Sequence, residues 1–163
     1  MKKYILLIAL AVSVLTAKAQ FNVDRLITSG KVALHYEDYV LSIQYFNQVI
    51  ALKPFLYEPW QYRAVAKFYL DDFVGAETDA SEAIALNPYI DILYDLRAIS
   101  RIRQEDYAGA IADYNKAIAI SPDTRNYWLN RAIRMPNSKD YDDALAQPES
   151  ITRKWQRFAN AYQ

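Results

Sequence analysis

The stretch Asp106–Pro122, DYAGAIADYNKAIAISP, recurs twice earlier in the chain at a constant spacing. The earlier copies are Asp72–Pro88, DFVGAETDASEAIALNP, and Asp38–Pro54, DYVLSIQYFNQVIALKP. An internal repeat of about 34 residues is typical of short supersecondary units that stack on their neighbours instead of closing into one globule. The stretch therefore predicts a repeat architecture for most of the chain.

Each copy carries the pattern of one amphipathic helix. Its apolar residues recur at steps of three and four, the spacing of a single helix face. An aspartate opens each copy as a helix N-cap, and a proline closes it because the residue before a proline avoids helical geometry. A second helical pattern precedes each copy, and the sequence has no strand pattern. We therefore predict one all-α domain of helix pairs from about residue 22 to residue 163.

The N-terminus has the features of a secretory signal peptide. Lys2 and Lys3 precede an apolar run from Tyr4 to Leu15, and Ala17-Lys18-Ala19 follows with small residues at both outer positions. Such a run is too short to span a bilayer comfortably, because a spanning helix needs about 20 residues. The sequence predicts cleavage after Ala19, removal of residues 1–19, and export to the periplasm or beyond the cell.

Composition excludes several classes of function. Loss of the three lysines in the signal peptide leaves 16 basic against 19 acidic residues, without the concentrated basic face that nucleic-acid binding needs. The chain has no cysteine, so disulfides and thiolate metal sites are excluded. His35 is the only histidine and is interpreted as a solvated turn residue, because metal sites need several converging ligands. We predict no cofactor and no metal.

Aligned at this period, the chain resembles the tetratricopeptide repeat. The large-residue column of that repeat is matched by Leu26, Trp60, Tyr94 and Trp128, and its small-residue column by Gly30, Ala64, Ala98 and Ala132. The resemblance implies a right-handed superhelix of antiparallel helix pairs, an α-solenoid, with three good repeats and one degenerate repeat. It places the repeats at about 23–56, 57–90, 91–124 and 125–146, and we predict that residues 147–163 form a C-terminal capping helix.

Charged residues recur at the repeat period as well. Arg63, Arg97 and Arg131 occupy one column, and Asp79 and Asp113 occupy a neighbouring one. A partly buried arginine needs a carboxylate nearby, so ion pairing is the favoured interpretation and a ligand-facing ladder of arginines is the alternative. Paired acids also recur beside the inter-helix turns, where we interpret them as helix caps and solvated turn charges and not as catalytic acids. We therefore predict that the protein is not an enzyme.

In the resembled family the first helices of successive repeats line a concave groove that holds a peptide. The matching columns of this chain are apolar and aromatic, and an exposed patch of that kind indicates a binding site. The predicted partner-binding residues are Tyr62, Val65, Phe68, Tyr69, Ile99 and Ile102. Packing of the same residues against neighbouring helices remains an equal alternative. Family members that dock chaperones hold a terminal carboxylate with polar groove residues, whereas only Lys31 fits that role among Ile27, Lys31, Tyr62, Ile92 and Leu96.

Three functional hypotheses follow. The leading one is a non-enzymatic scaffold or adaptor that binds a peptide or helix of another protein in the groove. The second is a structural subunit of a cell-envelope assembly, or a homo-oligomer, that docks through the helix ends with Trp155, Phe158 and Tyr162. The third is an enzyme or carbohydrate-binding protein that uses the aromatic groove. The sequence predicts no nucleic-acid partner and no stable membrane insertion after signal cleavage.

Overall fold

Seven helices follow one another through the part of the chain that the structure, a computed structural model, describes, which is residues 22–133. The first helix, α1, covers residues 22–35. The others are α2 (Tyr39–Leu52), α3 (Tyr57–Tyr69), α4 (Phe73–Leu86), α5 (Asp91–Arg103), α6 (Tyr107–Ile120) and α7 (Arg125–Ile133). The spacing of apolar residues predicts the same bounds for α2, α4 and α6. It predicts α3 over 58–70 and α5 over 92–104, one residue later than observed at each end. The signal peptide and the capping helix lie outside the described residues.

The helices belong to two compact units, with α1 to α4 in the first and α5 to α7 in the second. In the first unit α2 packs on α3 and α3 packs on α4, while in the second α6 packs on both α5 and α7. No helix within residues 22–133 is long and apolar enough to cross a membrane.

The second helix of each repeat begins at the predicted aspartate. The carboxylates of Asp38, Asp72 and Asp106 accept hydrogen bonds of 2.9 to 3.1 Å from the backbone N–H three residues later. They thereby satisfy donors that have no partner inside the helix. The predicted role of these acids as caps is confirmed.

The residue before each cap has an unusual backbone conformation. Glu37, Asp71 and Glu105 have φ angles of 61°, 60° and 64°, in the left-handed region that favours glycine. Around Glu37, the N–H of Asp38 donates to the carbonyl of Ala33 and the N–H of Glu37 donates to that of Leu34. This pair of bonds is a Schellman motif, and the same pattern recurs at the other two turns. Each first helix is thus stopped and reversed within a short turn.

Small residues let paired helices approach closely. Ala64 and Ala98 are fully buried in the predicted small-residue column. In the same column, a Cβ added to Gly30 would lie 2.8 Å from the ring of Phe46, which is itself fully buried. The hydroxyl of Ser42 donates to the carbonyl of Gly30 at 3.1 Å and joins α1 to α2. Close packing of this kind leaves no room for a larger side chain.

Within the second repeat, and again within the third, a buried ion pair joins the two helices of the repeat. Arg63 holds Asp79 through two hydrogen bonds of 2.8 and 2.7 Å, and Lys67 approaches the same carboxylate at 2.9 Å. In the second unit, Arg97 holds Asp113 through bonds of 2.9 and 2.6 Å. Both carboxylates are almost completely buried. The favoured prediction of ion pairing is confirmed for these two repeats.

Candidate functional site

An open cavity of about 520 Å³ lies on the first unit. Its walls come from the C-terminal half of α1, the turn after it, the first residue of α2, and α3. The lining residues are Lys31, Leu34, His35, Glu37, Tyr39, Tyr62 and Tyr69. We call this site the tyrosine pocket. Concave sites with an apolar lining and a few polar groups are the usual places where proteins hold ligands.

Ring stacking positions two tyrosines of the pocket. Tyr62 on α3 stacks on Phe46 of α2 with 5.5 Å between ring centroids, and Phe46 is fully buried. The ammonium group of Lys31 lies 4.6 Å from the centroid of the Tyr62 ring, within range of a cation–π interaction. The core residue Phe46 therefore fixes Tyr62, and Tyr62 in turn positions the charge of Lys31.

A second stacked pair forms the other side of the pocket. Tyr69, at the end of α3, stacks on Tyr39 with 5.0 Å between centroids and 9° between ring planes. Tyr69 is 60% exposed, so much of its ring is open to solvent. Partial burial raises the pKa of Tyr39, and the nearby Glu37 carboxylate raises it further. The Tyr39 phenol can donate a hydrogen bond.

The six predicted binding residues lie in different surroundings. Tyr62 and Tyr69 line the tyrosine pocket, whereas Val65 and Phe68 are half-buried residues of α3 outside its lining. Phe68 contacts Phe73 of α4 with 5.4 Å between ring centroids, which is helix packing. The last two, Ile99 and Ile102, are half-buried residues of α5 in the second unit. Partner binding by all six stays a prediction.

Some expectations about side chains need correction or addition. Leu96, assigned to a groove-facing column, is buried with 7% of its surface exposed. Tyr39 is not among the predicted binding residues, because its helical spacing from Ile43 and Phe46 predicts a place on the apolar face of α2. His35 is exposed as predicted, yet it also lines the pocket. The signal for Tyr39 was present in the aromatic column that it shares with Phe73, Tyr107 and Tyr141.

No metal-holding cluster accompanies the pocket in the described part of the chain. Within residues 22–133, no group of three or more histidine, aspartate and glutamate side chains is placed to hold a metal ion. The polar groups of the pocket are Lys31, His35, Glu37 and the tyrosine hydroxyls. They can orient a ligand by hydrogen bonds and charge, while the aromatic faces offer stacking surface.

Helix pairs of this length, joined by tight turns and repeated at a constant period, define the tetratricopeptide-repeat fold, and this chain has that fold. It is similar to the crystal structure of MamA, with a TM-score of 0.77, 22% identity, and coverage of 91% of this chain and 86% of that chain. It is also similar to the second TPR domain of the human RPAP3 protein in complex with an HSP70 peptide. That comparison has a TM-score of 0.70 and 16% identity, and covers 73% of this chain and 99% of the other.

Another similar structure is the first TPR of Spaghetti (RPAP3) bound to an HSP90 peptide, with a TM-score of 0.67 and 22% identity over 77% of this chain and 94% of that chain. No protein-family model matches the sequence, and no curated protein matches it. The predicted fold is thus confirmed by structure, at a level of identity where sequence comparison finds no relative.

Proposed function

We propose that this protein is a non-enzymatic interaction module that binds a peptide segment of another protein in the tyrosine pocket. The observation that carries the proposal is that two tyrosines beside an open cavity are held by ring stacking. Tyr62 stacks on the core residue Phe46, and Tyr69, which is 60% exposed, stacks on Tyr39. Similar repeat domains of RPAP3 have been solved with HSP90 and HSP70 peptides, which supports peptide binding by this fold.

The pocket favours a particular kind of peptide. Tyr62 and Tyr69 offer ring faces to an apolar or aromatic side chain, since aromatic residues dominate binding hot spots. Lys31 offers a cation held over a ring, suited to a carboxylate or a backbone carbonyl of the same peptide. We therefore expect a short motif that combines an apolar anchor with an acidic residue.

Selection from a phage-displayed random-peptide library on the full chain tests this proposal. The affinity of a selected peptide is then measured by fluorescence anisotropy for the wild type, Tyr69→Ala and Tyr89→Ala. Tyr89 is the matched control, because it is 81% exposed and does not line the pocket. We expect Tyr69→Ala to weaken binding about tenfold or more, in the range of an interface hot spot, and Tyr89→Ala to leave it unchanged.

Because Tyr69 is so exposed, its substitution leaves the helices folded, and circular dichroism verifies this. Lys31→Glu provides a second variant that should disfavour acidic peptides in particular. Equal affinities for wild type, Tyr69→Ala and Lys31→Glu would refute binding in the tyrosine pocket.

We also propose that the protein is exported. The proposal rests on the lysine pair, the apolar run and the Ala-Lys-Ala ending of residues 1–19. N-terminal sequencing of the protein purified from the envelope fraction should begin at Gln20. A mature protein that retains residues 1–19 would contradict cleavage.

A further inference from the structure

The column of arginines extends one repeat further along the sequence than the neighbouring column of aspartates. Arg63 and Asp79 form one pair, and Arg97 and Asp113 form the next one along the chain. A further step of one repeat leads from Arg97 to Arg131, whereas the same step from Asp113 leads to Gln147. The last arginine of the column therefore has no acid in the corresponding sequence position.

In the second and third repeats the arginine has an aspartate partner, and we call these the filled repeats. Both arginines bind the aspartate through the same atoms of the guanidinium group. In both Arg63 and Arg97, Nε and one terminal nitrogen, Nη2, donate to the two oxygens of the aspartate. This two-pronged arrangement is the preferred geometry between arginine and a carboxylate, and it makes strong hydrogen bonds. We call these two donors the fork.

Arg131 is held in the same posture as Arg63. The Nη1 group of Arg131 donates to the side-chain oxygen of Asn115, as that of Arg63 donates to Asn47. The Cζ atom of Arg131 lies 4.9 Å from the ring centroid of Trp128, and the corresponding distance from Arg63 to Trp60 is 4.8 Å. An amide and an indole thus fix the guanidinium group of Arg131 before any carboxylate arrives.

The fork of Arg131 is the part that has no partner. Nε and Nη2 are both buried and make no hydrogen bond among the described residues. Arg131 as a whole is 8% exposed, so little water reaches these donors. Burial removes water from the guanidinium group and lowers the pKa of Arg131. A buried cation with two unused donors is costly unless an anion of matching shape reaches it.

We propose that the fork of Arg131 is a binding site for a carboxylate group supplied from outside this chain. The two filled repeats show which ligand the fork accepts, and the contacts with Asn115 and Trp128 keep it in the binding orientation. The carboxylate belongs either to an acidic side chain of a polypeptide or to a small organic acid. This site lies in the second unit and shares no residue with the tyrosine pocket, so it stands independently of the function proposed there.

Nuclear magnetic resonance of the full chain tests the site directly. The Nε–Hε resonances of arginine side chains are followed while sodium acetate replaces sodium chloride at constant ionic strength. The Arg131 signal is identified by its loss in Arg131→Lys. We expect this signal to shift and saturate with acetate, while the Arg63 signal stays in place because Asp79 already occupies its fork.

A second arm distinguishes the two sources of the carboxylate. A synthetic peptide with the sequence of residues 107–120 contains Asp113, which fills the fork of Arg97, and its Asp113→Asn version is the matched control. Tighter binding of the aspartate peptide, by about tenfold over the control, indicates a polypeptide ligand. A response to acetate alone, with equal binding of both peptides, indicates a small organic acid.

The proposal is overturned if acetate and chloride move the Arg131 signal equally, or if neither moves it. It is also overturned if an acetate response appears only after the acids that follow α7 in the sequence, Asp140, Asp142, Asp143 and Glu149, are changed to their amides. In that case one of the chain's own acids occupies the fork. Arg131→Lys keeps the charge but loses the planar fork, so its acetate response should be absent while its helical content is retained.

Discussion

Asp113→Asn should destabilise the protein severely, because Asp113 neutralises two arginines at once. Its carboxylate is 3% exposed and accepts two hydrogen bonds from Arg97, and a third, of 2.8 Å, from Arg101. The side chains of these arginines are only 18% and 20% exposed. The substitution keeps the shape of the side chain but removes its charge, so both cations remain within a largely dry environment.

The expected magnitude follows from this geometry. Breaking a buried ion pair by removal of one partner costs about 3–5 kcal/mol. The amide oxygen of asparagine can still accept one hydrogen bond, so we expect a loss of about 3 kcal/mol in the free energy of unfolding. For a domain of this size such a loss lowers Tm by roughly 6–12 °C.

Urea denaturation followed by circular dichroism at neutral pH measures the loss. Glu82→Gln is the matched control, because it makes the same change from acid to amide at an exposed position of α4 and should stay within about 0.5 kcal/mol of the wild type. Asp79→Asn repeats the test in the first unit, where Arg63 and Lys67 share the carboxylate.

A triple variant separates the cost of unpaired charge from lost packing. Arg97→Met, Arg101→Met and Asp113→Leu together replace the charged cluster with apolar side chains, which in buried clusters is often neutral or stabilising. The reasoning is refuted if Asp113→Asn loses less than about 1 kcal/mol, or if the triple variant is as unstable as the single one.

Three further substitutions test other features by the same denaturation assay. Glu105→Gly should raise the free energy of unfolding by about 1 kcal/mol, because glycine adopts a φ of 64° without strain. Gly30→Ala should lower it by about 1–2 kcal/mol, because the new methyl group would press on the buried Phe46 ring. Tyr127→Phe should reduce the loss of stability in acid. Burial opposes ionisation of Asp91, but hydrogen bonds, including one from Tyr127, outweigh it and lower the pKa of Asp91. The ionised Asp91 therefore stabilises the folded state above about pH 4, and this stabilisation disappears as the pH falls further.

Each of these three predictions has a control variant or a result that would contradict it. Glu105→Ala lacks the freedom of glycine and should gain nothing, so equal stabilities of the two variants would exclude backbone strain as the cause. A Gly30→Ala variant more stable than the wild type would mean that helix propensity outweighs the close contact with Phe46. For Tyr127→Phe, an unchanged difference in stability between pH 7 and pH 3 would show that the hydrogen bond to Asp91 does not contribute.

Sequence patterns predict the repeat period, the helix pairs, the aspartate caps and the pairing of arginine with aspartate. These features are readable because each depends on residues at short, regular spacings, and because no single helix pair can bury its apolar face alone. The same regularity allowed the small-residue column at Gly30, Ala64 and Ala98 to be assigned before any helix was positioned.

Which side chains meet in space becomes visible only in the folded chain. Tyr39 and Tyr69 are far apart in the sequence, and only the packing of α2 against α3 brings their rings into a stack beside the cavity. Sequence spacing places Arg131 in a column, but only the positions of Asn115 and Trp128 show that its fork is already held open. Periodicity records which face of a helix is buried, whereas a binding site depends on distances between helices, and those distances are set by the side chains packed between them.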